Sequence, residues 1–354
     1  MRQCTRGQKN HKTHLLLSSN WRRYQEETKK VRWGILSTAS IAKRSVIPGI
    51  QESKRNEVVA VASRSLEKAQ EFSNELGIPK AYGSYEALLD DPEIDAVYIP
   101  LPNHLHKAWT IKAAEAGKHV LCEKPIAIDT KEVMEMATFC KDAGVMLVEA
   151  YMYRHQERYE AIKDRIKNGE IGEVRGMHGV FTFNGANNKD NIRFRKDWGG
   201  GSIYDVGCYP ISAARFLLDK EPVAVTTHAL FSPEHGDVDM MASGLMEFPN
   251  DIALTFDCGM WAESRNTLEI LGSEGRIVLP TAFLGDQSYQ IIKNGETEMI
   301  HADNINPYAL QADRFAESIL DGKAVKFSTE DMLGNMKAIE GALLSAEKKE
   351  RIIL

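Results

Sequence analysis

From Val31 to about Ala150, short apolar runs alternate with longer segments whose apolar positions recur at a helical period. Runs too short for helices, separated by amphipathic stretches long enough to cross over, predict a parallel sheet with helices between its strands. Strands are predicted at residues 31–37, 57–62, 96–100, 119–122 and 145–150, with a short one near 81–82. Helices are predicted at 66–76, 105–116 and 130–143. Gly77, Gly117 and Gly144 stand where the helical period breaks, the usual place for a left-handed helix stop.

Beyond Arg154 the texture changes. One helix at 157–168 leads into β-rich runs at 174–183, 223–231, 242–248, 252–259, 267–271 and 276–279. Pro249-Asn250 and Gly272-Ser273-Glu274-Gly275 are short enough to join antiparallel neighbours, so this half reads as a meander. Helices return at 209–218, 309–320 and 330–347. A mostly antiparallel sheet covered by helices on one face leaves the other to be buried, and a homo-oligomer interface, dimeric or tetrameric, accomplishes that. The fold class is α/β, with a doubly wound parallel sheet followed by an α+β half.

A length of 354 residues suits two domains, and 43% hydrophobic with 27% charged residues lies in the globular range. A net charge of −6 supplies neither a basic stripe for nucleic acid nor a polybasic segment for an anionic membrane, which favours a small-molecule partner. The five cysteines, Cys4, Cys122, Cys140, Cys208 and Cys258, are scattered without a CxxC pair, which fits a reducing cytoplasm. Residues 1–30 hold eight Lys/Arg against Glu26 and Glu27 and read as a flexible basic arm or a misassigned start. Trp21-Arg22-Arg23 invites a twin-arginine reading, but no hydrophobic segment follows. His104 and His106 lack a neighbouring carboxylate cluster, so no metal site is expected.

Four segments carry candidate chemistry. The turn after the first strand, Gly34 to Ala42, puts Ser37, Ala39 and Ala42 at the GxGxxG fingerprint positions. All are small, none is glycine, and on this turn alone pyrophosphate binding and an ordinary strand-to-helix turn stand level. At the end of the second strand, where a ribose-binding acid would stand, are Ser63 and Arg64, with Lys68 a turn further on. A guanidinium and a hydroxyl suit a 2′-phosphate; a solvated basic loop is the plainer alternative. Cys122-Glu123-Lys124-Pro125 ends the fifth strand, at the edge where open α/β sheets bind ligands, and a lysine there has reason to titrate low or to polarise a substrate hydroxyl. Pro100-Leu101-Pro102-Asn103-His104 forms another rigid loop at that edge. Finally, a glycine run, Gly199-Gly200-Gly201, enters a helix with Asp205 and Tyr209 on one face. There, helix capping by Asp205 and catalysis stand level.

Taken in order, WGILSTASIA, ASR, PLPNHLH, CEKP, EAYMYR and GGGSIYDVGCY resemble the glucose-fructose oxidoreductase / inositol dehydrogenase family from Val31 to the C-terminus. The tyrosine ending DVGCY is similar to dimeric dihydrodiol dehydrogenases and NADP-dependent D-xylose dehydrogenases. The resemblance implies a Rossmann NADP-binding domain at 31–153 and a substrate-binding and oligomerisation domain at 154–354. It implies an oxidoreductase that uses NADP, with NAD the lesser choice, and acts on a sugar such as D-xylose or D-glucose, or on a cyclic polyol or diol. Catalytic roles fall on Lys124, Asp205 and Tyr209, with Lys124 the cation that lowers the Tyr209 pKa. Cofactor contacts fall on Ser37, Thr38, Ala39, Ser40 and Ile41, on Ser63, Arg64, Lys68 and Tyr82, on Leu101, Pro102, Asn103 and His106, and on Glu123, Lys124, Arg154 and Trp198. A non-catalytic NADP-binding regulator and a redox-neutral glycosidase or lyase are the alternatives. The first sits poorly with Lys124, Asp205 and Tyr209 all being present; cofactor turnover separates the second from a true dehydrogenase.

Overall fold

The computed structural model describes residues 29–354. The expected basic arm before Val31 therefore lies almost wholly outside the described residues. Six strands form the first sheet: β1 (Val31–Leu36), β2 (Asn56–Ala62), β3 (Lys80–Tyr82), β4 (Ala96–Ile99), β5 (His119–Glu123) and β6 (Leu147–Ala150). They pair in the order β3-β2-β1-β4-β5-β6, and every pairing is parallel. The order in which strands are added reverses between β1 and β4, with β2 and β3 to one side and β5 and β6 to the other, which opens a crevice beyond the carboxyl ends of β1 and β4.

The crossover helices are α1 (Ile47–Glu52), α2 (Leu66–Leu76), α3 (Tyr85–Leu89), α4 (His106–Glu115) and α5 (Thr130–Asp142). Local chemistry sets their ends. Ser65 Oγ accepts from Lys68 N at the start of α2, and Gly77 ends it with φ 67°. Asp129 caps α5 by accepting from Glu132 N at 2.7 Å. The short α3 was not expected from the sequence, since five residues carry too little periodicity to declare a helix.

In the second half, α6 (Glu157–Lys167) precedes a sheet built from β7 (Val174–Asn184), β8 (Ala224–Ser232), β9 (Val238–Phe248), β10 (Ile252–Gly259), β11 (Trp261–Gly272), β12 (Gly275–Leu279), β13 (Tyr289–Lys293), β14 (Glu296–Ile300) and β15 (Ile352–Ile353). Its order is β14-β13-β12-β11-β7-β10-β9-β8-β15. The two short turns do join antiparallel neighbours, β9 to β10 and β11 to β12. A simple meander, however, is wrong at the centre: β7 inserts between β10 and β11 and runs parallel to β10. Local turn length says nothing about a strand that arrives from another part of the chain. Strands β13, β14 and β15 are absent from the sequence expectation: β14 is polar, β15 is two residues long, and the five residues of β13 are too short a run to stand out.

Helices α7 (Cys208–Leu218) and α9 (Thr329–Lys348) cover one face of this sheet. The opposite face carries rows such as Thr226, Leu245, Thr255, His178 and Glu269, in register across five strands. Leu230, Leu245 and Leu271 are exposed on it. The last helix but one, α8 (Pro307–Asp321), leaves the second half and packs on the first sheet. There Phe315 meets the buried Trp33 at 4.7 Å between ring centroids, and Trp33 Nε1 donates to Asn56 Oδ1 at 2.8 Å. A strict split at residue 153/154 thus misplaces α8. Its apolar stripe of Ala312, Phe315 and Ala316 fills the groove that the first sheet's own short α1 leaves open.

Candidate active site

The crevice is a cleft of about 780 Å³ between the carboxyl edge of the first sheet and the second half of the chain. Its walls include Ala39, Ser40 and Ile41 after β1, Leu101, Pro102 and Asn103 after β4, Glu123 and Lys124 at β5, and Trp198, Asp205 and Tyr209 from the second half. Eleven of the residues expected from the sequence to form the site therefore meet at one place.

Ser37 turns the chain out of β1 with φ 134°, a conformation that favours glycine over L side chains. Its hydroxyl accepts from Ala39 N at 3.1 Å and donates to the Pro100 carbonyl at 3.4 Å. The fingerprint that lacks glycine in sequence keeps a glycine-type backbone at its first position.

Lys124, just beyond β5, is buried among charges. Its ammonium donates to the Asp205 carbonyl at 2.6 Å and to Asp205 Oδ1 at 3.3 Å, and lies 5.1 Å from the Tyr209 ring centroid. Burial is the largest single influence and pulls the Lys124 pKa down, but Asp205, Cys208 and Glu123 together outweigh it, leaving it raised. The expectation of a low-titrating lysine is overturned by that buried ion pair. Asp205 is shared: Oδ2 accepts from Arg193 Nε at 2.6 Å. Burial opposes its charge, yet Arg193 and Lys124 together hold the carboxyl down at about 2.

Asp205 does not cap its helix. It sits in a π-helical turn, Ile203–Gly207, that leads into α7. The chain is fixed there by Asp239 of β9, whose Oδ2 accepts from Ser202 Oγ and from Ile203 N, both at 2.7 Å. The preceding glycine run is wedged in place, since a Cβ on Gly201, at φ 114°, would strike Asp239 and one on Gly200 would strike the Arg193 carbonyl. Asn103 Nδ2 closes the wall by donating to the Gly199 carbonyl at 2.8 Å. Against that wall His104 stacks on Trp198 at 4.7 Å.

Tyr209, in the first turn of α7, packs against Phe181 at 5.0 Å and edge-on to Tyr151 at 5.6 Å. Burial, followed by neighbouring Tyr308, Cys208, Glu123 and Asp205, pushes its pKa well above the ordinary value. The expected lowering of the Tyr209 pKa by Lys124 is therefore not seen.

Other expected residues lie apart from the cleft walls. Arg154 is buried beneath α9, with Nη1 and Nη2 on the Asp331 carboxylate at 2.6 and 2.9 Å, and its guanidinium lies 3.8 Å from the Phe327 ring centroid. Arg154 is thus absent from the cleft walls, where a cofactor contact was expected: its two terminal nitrogens are spent on Asp331, and its Nε is buried without a partner among the described residues. His106 is buried, with its ring nitrogens 2.8 Å from the Leu101 carbonyl and 3.0 Å from the Pro125 carbonyl. It ties two wall loops together and does not itself reach the cavity. Tyr82 commits its hydroxyl to Asp91 at 2.8 Å. Ser63 is buried at the end of β2, and Arg64 and Lys68 are exposed beside it. Residues absent from the sequence expectation also line the cleft: Arg193, Tyr308, Arg44, Phe181 and Phe183. A polar loop and three aromatics carry no local mark of a site until the fold closes.

A parallel sheet whose crevice opens at the β1/β4 crossover, roofed by a second sheet and its helices, defines a Rossmann-type oxidoreductase architecture. Residues 31–151 match the description "Oxidoreductase family, NAD-binding Rossmann fold", and residues 159–278 match "GFO/IDH/MocA C-terminal domain". The chain belongs to this family of oxidoreductases. It is 40% identical to an uncharacterised oxidoreductase of Rhizobium meliloti over 90% of this chain and 97% of that protein. It is 36% identical to D-xylose 1-dehydrogenase (NADP(+)) 2 of Haloferax volcanii, over 89% of this chain and 97% of that protein. Among solved structures, KijD10, a 3-ketoreductase from Actinomadura kijaniata in complex with NADP and TDP-benzene, superposes with a TM-score of 0.84 at 29% identity, covering 90% and 98% of the two chains.

Proposed function

We propose that this protein is an NADP-dependent dehydrogenase or reductase acting at a hydroxyl or carbonyl carbon of a sugar or cyclic polyol. The observation that carries the reading is the cluster of Lys124, Asp205 and Tyr209 in the cleft at the carboxyl edge of the parallel sheet. The residues present fit a dinucleotide. Ala39 and Ser40 offer small side chains beside the glycine-type turn at Ser37. At the end of β2, Ser63 and Arg64 take the place of a ribose-binding acid, and an exposed guanidinium suits a 2′-phosphate. The relatives named NADP-dependent or solved with NADP support the same choice.

When bound, NADP accepts or supplies the hydride. In reduction, Tyr209 Oη gives its proton to the substrate carbonyl oxygen; in oxidation it takes the hydroxyl proton. Lys124 holds that same oxygen, and Asp205 fixes Lys124 through Oδ1. Phe181, Phe183 and Trp198 provide apolar wall against which a ring's carbon face packs. The open face of the second sheet supports a homo-oligomer of this chain.

A panel of aldoses, inositols and cyclic diols, followed by NADPH absorbance, tests the reading. Stoichiometric NADPH formation with one of these classes is expected, with Arg64→Ala weakening NADP far more than NAD. Product formed without net NADPH, or no turnover across the panel in either direction, would sink it.

A further inference from the structure

We infer that Arg193, held on Asp205, is the positioning residue whose charge steadies the Tyr209 oxygen, while Lys124 serves the substrate oxygen. This rests on Tyr209 being the proton carrier, as proposed above.

The case begins with where each cation lies. The Lys124 ammonium makes both its hydrogen bonds to Asp205 and lies over the face of the Tyr209 ring, 5.1 Å from its centroid. A cation over an aromatic face is attracted to the ring quadrupole; that position differs from one beside the hydroxyl. Arg193 reaches the cleft beside a neighbouring aromatic ring. Phe181 and Phe183 stand two apart on β7, hence on one face of the strand. Tyr209 packs on the first ring at 5.0 Å between centroids, and the Arg193 guanidinium lies 5.9 Å from the centroid of the second. Tyr209 and Arg193 thus each lie against one of two rings on the same strand face, and both line the cleft. In keeping with this, the Arg193 pKa is raised first by Asp205, and Tyr209 also contributes.

Arg193 is built in. Its backbone N–H and Nη1 donate to Asn191 Oδ1 at 3.1 and 3.4 Å, and its carbonyl accepts from Gly201 N at 3.0 Å. Nε is committed to Asp205 Oδ2, so the planar fork is fixed in orientation. Two cations share one carboxylate, which leaves a net positive charge among these three groups. That surplus answers the negative charge on Tyr209 Oη after its O–H bond breaks and a new O–H bond forms on the substrate oxygen. In oxidation the same surplus stabilises the phenolate that accepts the proton.

The test is the pH profile of kcat in the oxidation direction for the wild type, Arg193→Gln, Arg193→Lys and Lys124→Met, all on folded full-length protein. Arg193→Gln is expected to move the alkaline-rising limb upward by about one to three pH units, the span produced by removing a nearby opposite charge. Arg193→Lys should return most of the shift. Lys124→Met should depress kcat/KM and leave the limb where it was. A limb unmoved by Arg193→Gln with only KM raised, or moved by Lys124→Met instead, overturns the inference. Should Arg193→Gln turn over too slowly to profile, ultraviolet titration of phenolate, taken as the difference between each protein and its Tyr209→Phe partner, reads the same shift without turnover. An unchanged phenolate titration overturns the inference there too. Near-wild-type kcat in Tyr209→Phe alone would instead remove the acid-base reading, an outcome separate from any result at Arg193.

Discussion

At the scale of single residues, Tyr209 joins opposing requirements. Its ring is packed by Phe181, Tyr151 and Phe283, at 5.0, 5.6 and 5.3 Å between centroids, as any core aromatic would be. The same residue lines the cleft. Tyr209→Phe keeps the packing and deletes only the oxygen, so stability should change little. General acid-base catalysis is typically worth ~10²–10⁴-fold, and kcat should fall by about that much while NADP affinity survives. Steady-state rates at saturating cofactor, beside a direct binding titration of NADP, check both halves of that expectation. Were Tyr209 only a packing residue, phenylalanine would restore nearly all the activity.

Among the elements, β6 carries a charge that its surroundings do not welcome. Glu149 is buried at the end of this strand; Oε1 accepts from Ile126 N at 2.9 Å, while Oε2 has no partner among the described residues. Burial raises its pKa from an ordinary 4.5 to about 8. The native state therefore binds a proton that the unfolded chain has released, and stability falls as pH rises between those values. The contribution is complete below 4.5 and is lost on approach to 8, a change of roughly a few kcal/mol across the window. Glu149→Gln removes the titration and keeps the Oε1 acceptor. Its stability relative to wild type should climb steadily from pH 5 to pH 8, read from denaturant midpoints at each pH. A constant difference across that range would mean that Glu149 is already ionised in the folded protein.

For the molecule as a whole, the second sheet leaves a broad face without helices, where Leu230, Leu245 and Leu271 are exposed among Thr, Ser, His and acidic neighbours. A face this size with scattered apolar side chains suits self-association. Light scattering should find an oligomer for the wild type, and Leu245→Glu should move it toward monomer at the same concentration. A wild-type monomer at assay concentrations would dispose of that assembly. The parallel sheet was legible in sequence because strands buried on both faces and amphipathic helices each leave a periodic mark; α2 was predicted to the residue. Lys124, Asp205 and Tyr209 were legible through the motifs that hold them. By itself, then, the sequence determined the alternation of strands and helices, the family and the principal polar groups, because these depend on local periodicity and residue chemistry. Only the tertiary structure decided the insertion of β7, the return of α8 to the first sheet, the burial of Arg154 on Asp331 and the arrival of Arg193 at Asp205. Each depends on segments that are distant along the chain or joined by an irregular loop. Such pairings are selected by the shape and charge of the folded interior, and no local pattern encodes them.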